Sequence, residues 1–329
     1  MLRRTLLRGL PVVALAGLAI APVAVAQDDP AAWPEQPVTI LVPYAAGGNT
    51  DMFARLLAEE LDKAFGQRFL VENKPGGNAN IGTAELARAE PDGYTLGMGT
   101  VATHAINPSV FEDLPFDPAE DFAPVSLVAT LPNVLVVNPE LEAESVPELI
   151  ELLKANPDTY TFASSGVGTS QHVSGELFMV RTGTRMTHVP YKGSGQLIMD
   201  VVGGHVDLSF DNIPTAAQQA KAGAVRPLAV TSLERSDLLP EVPPMAEFLP
   251  GFEATSWHGL FAPAGTPPEI VRKVSAEVQR IMRQPEVQER LRSVGAEPVG
   301  STPEEFARYI EAERQKWAEV VEEAGISVE

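Results

Sequence analysis

The sequence predicts an α/β protein made of two lobes. Short apolar runs rich in β-branched residues alternate with segments of helical periodicity, as in buried parallel strands joined by helices. Two longer apolar stretches, at residues 122–137 and 252–262, predict places where the chain crosses between lobes. We therefore expect one lobe from residues 27–130 plus 254–329, and a second lobe from residues 131–253.

The first strand–turn–helix unit shows the pattern most clearly. Val38–Val42 is a short, fully apolar run and is predicted to be a buried strand. Residues 43–50 form a turn with two glycines, and residues 51–65 carry apolar side chains at helical spacing. Strand, glycine-rich turn and helix together predict the start of a βαβ unit.

The alternation continues along the chain. Further strands are predicted at residues 69–71, 94–98, 160–163, 188–191, 206–210 and 228–231. Helices are predicted at residues 81–89, after a capping box at Ser145, and at about residues 171–180. Thr266 and Thr302, each followed by Pro and Glu, predict the starts of two C-terminal helices. Strands that alternate with helices predict parallel sheets.

The N-terminus predicts the compartment. Three arginines within the first eight residues precede the apolar stretch at 10–25, which ends in a small-x-small cleavage site at 24–26. This order is typical of a secretory signal peptide, here residues 1–26, so we expect export to the periplasm. The general secretory and twin-arginine routes both fit this start.

Composition excludes several classes of function. The formal net charge of −20 disfavours binding to nucleic acid and to anionic membrane surfaces. The absence of cysteine from the sequence excludes disulfides, thiol nucleophiles and cysteine-based metal sites. An anion site in such an acidic chain must be built locally, from dipoles and a few placed donors.

Two turns share a design suited to an anion. The tyrosine turn (residues 43–51) and the serine turn (residues 164–170) each place glycines and small polar side chains before a predicted helix. Free N–H groups at a helix N-terminus favour negative charge, and glycine permits close approach. One such turn commonly only caps its helix, but two from different lobes can clamp one anion. About four to six charge-assisted hydrogen bonds at ~1.5–3 kcal/mol each exceed the ~8 kcal/mol of micromolar binding.

Other chemistries lack their motifs. The serine turn has Gln171 where a dinucleotide fingerprint needs its third glycine, and residues 193–195 do not form a nucleophile elbow. The five histidines show no metal-ligand spacing. We therefore expect no catalytic residue, no metal and no cofactor.

Single residues allow two interpretations each. The histidines are expected to be structural, with His104 the best candidate for an exception. The pair Asp211-Asn212 is weighed evenly between bracing a loop and contacting a ligand, because α/β ligand crevices form where strands end. Trp257 is interpreted as core, and Glu313 as part of a solvated acidic helix face.

Taken together, these segments resemble the Bug-type solute receptors of tripartite tricarboxylate transporters. The matching segments are VPYAAGG (42–48), VENKPGG (71–77), DGYTL (92–96), SSGVG (164–168), HVPYKG (188–193), GGHVD (203–207), FDN (210–212), AVTS (229–232) and FAPAGTP (261–267). The resemblance implies a two-lobed periplasmic-binding-protein fold, type II-like, with hinge crossings. It also implies a monomer that captures a small carboxylate and delivers it to membrane permease subunits.

The resemblance implies a set of ligand contacts in each lobe. In the tyrosine turn these are Tyr44, Ala46, Gly47, Gly48, Asn49 and Thr50. In the serine turn they are Ser164, Ser165, Gly166, Gly168, Thr169 and Ser170. Weaker implications fall on Thr100, Thr103 and Asp211, whereas Asp51 is expected to brace its own turn.

Two other functions stay open at this point. The loaded receptor could serve a two-component signalling system instead of a transporter, and a secreted α/β hydrolase is a more distant alternative. Tricarboxylates, dicarboxylates, aromatic carboxylates and acidic amino acids all suit the resemblance as ligands.

Overall fold

The computed structural model describes residues 32–326; the signal peptide prediction lies outside these residues. The strands are β1 (Val38–Val42), β2 (Phe69–Asn73), β3 (Thr95–Thr100), β4 (Phe122–Val137), β5 (Thr161–Ser164), β6 (Thr187–Pro190), β7 (Leu208–Asn212), β8 (Arg226–Val230), β9 (Thr255–Pro263) and β10 (Glu297–Pro298). The α-helices are α1 (Asn49–Phe65), α2 (Asn80–Ala87), α3 (Asn107–Val110), α4 (Val146–Ala155), α5 (Ser170–Thr182), α6 (Ser194–Val202), α7 (Ile213–Lys221), α8 (Pro268–Met282), α9 (Pro285–Arg292) and α10 (Pro303–Ala324).

The strands form one mixed sheet in the order β2-β1-β3-β9-β4-β7-β5-β6, with β8 and β10 also paired to β4. The first half of the sheet contains β1, β2, β3, β9 and β10, and the second half contains β5, β6, β7 and β8. Strands β1, β2 and β3 in the first half and β5, β6 and β7 in the second half pair parallel, as predicted. The prediction of parallel sheets is wrong for β8, which follows α7 but pairs antiparallel with β4, and for β4 and β9, which return the chain and pair antiparallel.

Strand β4 belongs to both halves. Residues 122–132 pair with β9, and residues 133–137 pair with β7. The change of partner falls at Pro132, a residue that cannot donate a ladder hydrogen bond. The predicted crossing at 122–137 is therefore a strand shared by both halves, and the stretch at 252–262 lies largely in β9, which pairs with β3 and β4.

Of the three capping residues predicted from the sequence, Ser145 and Thr302 cap their helices and Thr266 does not. Thr302 and Glu305 form the predicted capping box of α10. Thr266 does not cap α8, because its hydroxyl donates to the carbonyl of Pro263, and the helix begins at Pro268. No helix within residues 32–326 is long and apolar enough to cross a membrane.

Glu313 was predicted to lie on the surface but lies in the core. Trp257 is fully buried, as expected, and its indole N–H donates to Glu313 over 3.2 Å. Trp317 donates to the same carboxylate, which also pairs with Lys316. The solvated interpretation of Glu313 is therefore wrong: its carboxylate is buried because two indoles and an ammonium group satisfy it.

Candidate ligand-binding site

The tyrosine turn follows β1 and leads into α1. Residues 45–48 are exposed, and Gly47 takes φ +89°, a left-handed conformation that favours glycine. The carboxylate of Asp51 accepts the Gly47 N–H at 2.9 Å and the Asn73 side-chain N–H at 3.0 Å. Arg55 also donates to Asp51. This confirms that Asp51 braces its own turn.

These hydrogen-bond donors keep the carboxylate of Asp51 ionised. Burial alone would raise its pKa, but hydrogen bonds from Arg55, Gly47 and Asn73 and the nearby guanidinium together hold the pKa below its usual value. The carboxylate therefore stays ionised and oriented towards the turn. It also occupies the Gly47 N–H, so Gly47 contributes shape to the turn rather than a free donor.

The N-terminus of α1 has no side-chain cap among the described residues. The first N–H groups of a helix have no partner within the helix, and these belong here to Asn49, Thr50 and Asp51. An end of this kind is a ready site for an anion, because donors and macrodipole act together.

The side chains beneath the tyrosine turn are bonded to one another. The Tyr44 hydroxyl lies 2.8 Å from Thr100 Oγ1, and burial raises the pKa of Tyr44 to about 12 despite this hydrogen bond. Thr103 is fully buried, and its hydroxyl accepts the Thr100 N–H at 2.9 Å. Thr100 and Thr103 thus lie behind Tyr44 and support it.

Two histidines near this turn lie in the protein interior. His104 stacks on Phe261 with a ring-centroid distance of 3.9 Å, and burial lowers its pKa to about 3. It is therefore a neutral core ring and not the exception that the sequence favoured. His258 is buried too and bonds to Thr50 Oγ1 over 3.2 Å.

The serine turn is held largely by its own side chains. The Ser165 N–H donates to Gln171 Oε1 at 2.6 Å, and the Gly166 N–H donates to Ser164 Oγ at 3.1 Å. Gly166 has φ +132°, which permits this tight path.

The end of the serine turn joins α5. Thr169 is the N-cap, and its hydroxyl donates to the Gly166 carbonyl at 2.7 Å and accepts the His172 N–H. The Gly168 N–H donates to His172 Nδ1 at 3.3 Å. The backbone donors that remain at this helix end are those of Ser170 and Gln171, by the same rule as for α1.

Each turn contacts the opposite half of the structure. The Asn49 side chain donates to Asn212 Oδ1 at 3.4 Å, which joins the start of α1 to the end of β7. A Cβ placed on Gly166 would lie 3.6 Å from Asn78 Oδ1, and one on Gly168 would lie 2.9 Å from Asn107 Oδ1. The start of α1 and the serine turn are therefore both at places where the two halves come into contact.

Asp211 lies beneath the serine turn. Gln171 donates to its Oδ1 at 2.5 Å, the Asn212 N–H donates to the same oxygen at 2.9 Å, and Oδ2 has no partner among the described residues. Burial raises the pKa of Asp211 to about 7, against the opposing effect of these hydrogen bonds and one from Ser194. The contacts show loop bracing; ligand contact by Asp211 stays a prediction.

Sequence reasoning named Asn49 and Asn212 but missed Asn133, which bonds to Asn212 behind the contact between the halves. Asn212 donates to Asn133 Oδ1 at 2.5 Å, and Asn133 donates to Ser174 Oγ at 3.0 Å. With Asn49 these side chains form a path from the tyrosine turn to α5. Asn212 lies in the FDN segment, which was the available signal, but its partner Asn133 lies in an apolar strand with no motif.

Among the described residues no group of three potential His, Cys, Asp or Glu ligands could hold a metal ion. The polar groups around the two turns include backbone amides, hydroxyls, side-chain amides and the carboxyl group of Asp211.

Comparison with known proteins identifies the family. Residues 53–326 match the model of the tripartite tricarboxylate transporter family receptors. The chain belongs to this receptor family. It is accordingly a solute-binding receptor of the Bug type and not an enzyme, which removes the hydrolase alternative.

Relatives of this receptor match over most of their length. BugT of Bordetella pertussis is 38% identical over 295 residues, covering 89% of this chain and 90% of that protein. An Agrobacterium vitis protein described as lying in the TAR-I ttuE-ttuC' intergenic region is 40% identical over 309 residues, covering 92% of this chain and 88% of its own.

Solved structures of similar chains confirm the periplasmic-binding-protein fold of the receptor. An R. palustris protein solved with adipate is 40% identical with a TM-score of 0.84, covering 90% of this chain and all (100%) of its own. MatC from Rhodopseudomonas palustris, solved with malate, is 34% identical with a TM-score of 0.80, covering 88% and 100%. The periplasmic binding protein BugD is 36% identical with a TM-score of 0.80, covering 90% and 100%.

Proposed function

We propose that this chain is a periplasmic receptor that captures a small dicarboxylate between its two glycine-lined turns and delivers it to membrane permease subunits. Lobe 1 comprises residues 27–130 plus 254–329, and lobe 2 comprises residues 131–253. Residues 1–26 direct export as a cleaved signal peptide. The receptor acts as a monomer.

The uncapped N-terminus of α1 carries this proposal. No side chain among the described residues caps that helix end, and Asn49 at its start donates to Asn212 in the other half of the sheet. A carboxylate placed there accepts the amides of residues 49–51 from one lobe and those of residues 170–171 from the other. The Tyr44, Thr50 and Ser165 side chains line the same place.

The charge balance supports neutral donors as the means of binding. Arg55, the cation closest in sequence to the tyrosine turn, is paired with Asp51, and Lys74 is paired with Glu72 and Glu85. These two cations are therefore already paired with carboxylates, which supports amide and hydroxyl groups as donors to the ligand. Similar chains solved with adipate and malate support a dicarboxylate as the ligand class.

A binding screen tests the proposal directly. The mature protein is screened by thermal shift against dicarboxylates, tricarboxylates, aromatic carboxylates, acidic amino acids, sugars and cations, and hits are measured by calorimetry. We expect dicarboxylates to raise the melting temperature and to bind at micromolar Kd or tighter. Stabilisation by sugars or cations alone contradicts the proposal.

Delivery is tested with the permease. The receptor, its ligand and candidate permease subunits reconstituted in vesicles should show uptake that requires the receptor. Binding without receptor-dependent uptake by any permease encoded beside the receptor contradicts delivery while leaving ligand capture intact.

A further inference from the structure

Two histidines lie stacked against the serine turn. His172 lies on α5 and His188 on β6, with ring centroids 4.0 Å apart and planes 29° apart. The ring of Phe162 on β5 stacks on His188 at 4.8 Å. His172 is 4% exposed, so its polar atoms depend on protein partners.

The histidine pair holds the serine turn at both of its ends. His188 Nε2 lies 2.6 Å from Ser164 Oγ, at the residue where β5 becomes the turn. His172 Nδ1 accepts the N–H of Gly168, two residues before α5 begins, at 3.3 Å. Between these anchors the chain passes through Gly166 at φ +132° and Gly168 at φ +75°, conformations that glycine leaves readily in the absence of restraints.

The contacts of His172 determine its tautomer. A nitrogen that accepts the Gly168 N–H carries no proton, so the ring proton lies on Nε2. Nε2 is 3.3 Å from the Glu176 carboxylate, a suitable acceptor for that proton. Burial lowers the pKa of the neighbouring His188 to about 3, so that ring is neutral.

We propose that His172 and His188 are positioning residues for ligand binding: together they fix the serine turn in the conformation that receives the ligand carboxylate, without contacting the ligand. This inference rests on the proposed function of the serine turn. Ordinary core histidines contribute packing, whereas these two contribute a specific nitrogen to each end of the turn.

The tautomer can be measured without any ligand. Imidazole ¹⁵N spectra of the purified receptor should show His172 with an unprotonated Nδ1 and a protonated Nε2. A through-bond coupling from the Gly168 amide nitrogen to Nδ1 should be visible. The opposite tautomer at His172 overturns the proposal.

Isosteric amides separate positioning from packing. The oxygen of Asn occupies the place of Nδ1, and the terminal group of Gln occupies the place of Nε2. His172→Asn and His188→Gln therefore keep the anchoring atom, whereas His172→Gln and His188→Asn move it. We expect near-native Kd for the first pair and roughly tenfold weaker binding for the second, because the binding-competent turn becomes a minor state.

The control variant is His205→Gln, at an exposed histidine on the loop before β7, which should leave Kd unchanged. Circular dichroism and melting temperature establish that each variant is folded. Equal Kd values within each Asn/Gln pair overturn the positioning role, whatever the melting temperatures. If the wild-type receptor binds no carboxylate, the proposed function fails, while the tautomer measurement still decides the role of His172.

Discussion

Replacing Asp51 with Asn removes the brace of the tyrosine turn while preserving side-chain shape. Oδ2 of Asp51 accepts the Gly47 N–H and the Arg55 Nε–H, and Oδ1 accepts from Asn73 and the second Arg55 nitrogen. An Asn side chain has one accepting oxygen and turns its N–H₂ towards donors on the other side. At least one of the Gly47 and Asn73 N–H groups then loses its partner.

The magnitude follows from burial. The Asp51 side chain is 5% exposed, so a donor left without a partner costs about 1–3 kcal/mol. The Arg55 side chain is 53% exposed, and its pairing contributes about 1 kcal/mol or less. We expect Asp51→Asn to lower the free energy of unfolding by about 3 kcal/mol and the melting temperature by roughly 6 °C.

The assay is urea denaturation at several pH values, with Arg55→Gln as the control. The pKa of Asp51 is lowered in the folded protein, so its stabilisation is present above the unfolded value of 3.8 and is lost as pH falls through the folded value. The gap between wild type and Asp51→Asn should therefore be full at pH 7 and close in acid. A gap at pH 7 no larger than that of Arg55→Gln, or one that widens in acid, refutes this reasoning.

Three further perturbations test other parts of the structure. Gly168→Ala should weaken dicarboxylate binding at least tenfold by calorimetry, because φ is +75° there and the new Cβ would lie 2.9 Å from Asn107 Oδ1; unchanged affinity contradicts the placement of the turn. Asp211→Asn should remove one pH dependence of stability: the pKa of Asp211 is raised to about 7, so its ionisation costs nothing below 3.8, an increasing amount as pH rises from 3.8 to 7, and up to roughly 4 kcal/mol above 7. Urea midpoints at pH 5 and 8.5 check this, and parallel curves for both proteins would contradict it. Trp257→Phe should lower the free energy of unfolding by about 2 kcal/mol, because buried Glu313 loses an indole donor; a change below the error of the urea titration argues against that bond.

Local signals predicted much of the fold and part of the site. The strand β1, the capping box at Thr302 and the brace by Asp51 each depend on residues a few positions apart, and the sequence shows them directly. The burial of Glu313 depends on Trp257, 56 positions earlier, so no local pattern reveals it. The antiparallel direction of β4 is equally a property of distant partners.

The same distinction holds inside the two turns. Glycines and helix starts predict anion binding at both turns, but the sequence did not show which amides the protein itself occupies. The Gly168 N–H, for example, donates to Nδ1 of His172, a side chain four positions later on α5. The contact between Asn49 and Asn212 requires the two halves to be assembled first.

Strand β4 joins the two halves of the sheet and lacks ladder hydrogen-bond donors at the position where it changes partner. Pro132 has no N–H, and the N–H of the next residue, Asn133, donates to the hydroxyl of Thr231 at 2.8 Å. Two successive residues thus withhold donors from the ladder at the very place where β4 exchanges β9 for β7. One half can therefore twist against the other at this position with the loss of few main-chain hydrogen bonds, while the flanking parts of β4 stay stiff. Strand β4 therefore connects the two halves and also provides the position about which they can turn. Neither half can be cut out as an independently folding unit without cutting this strand.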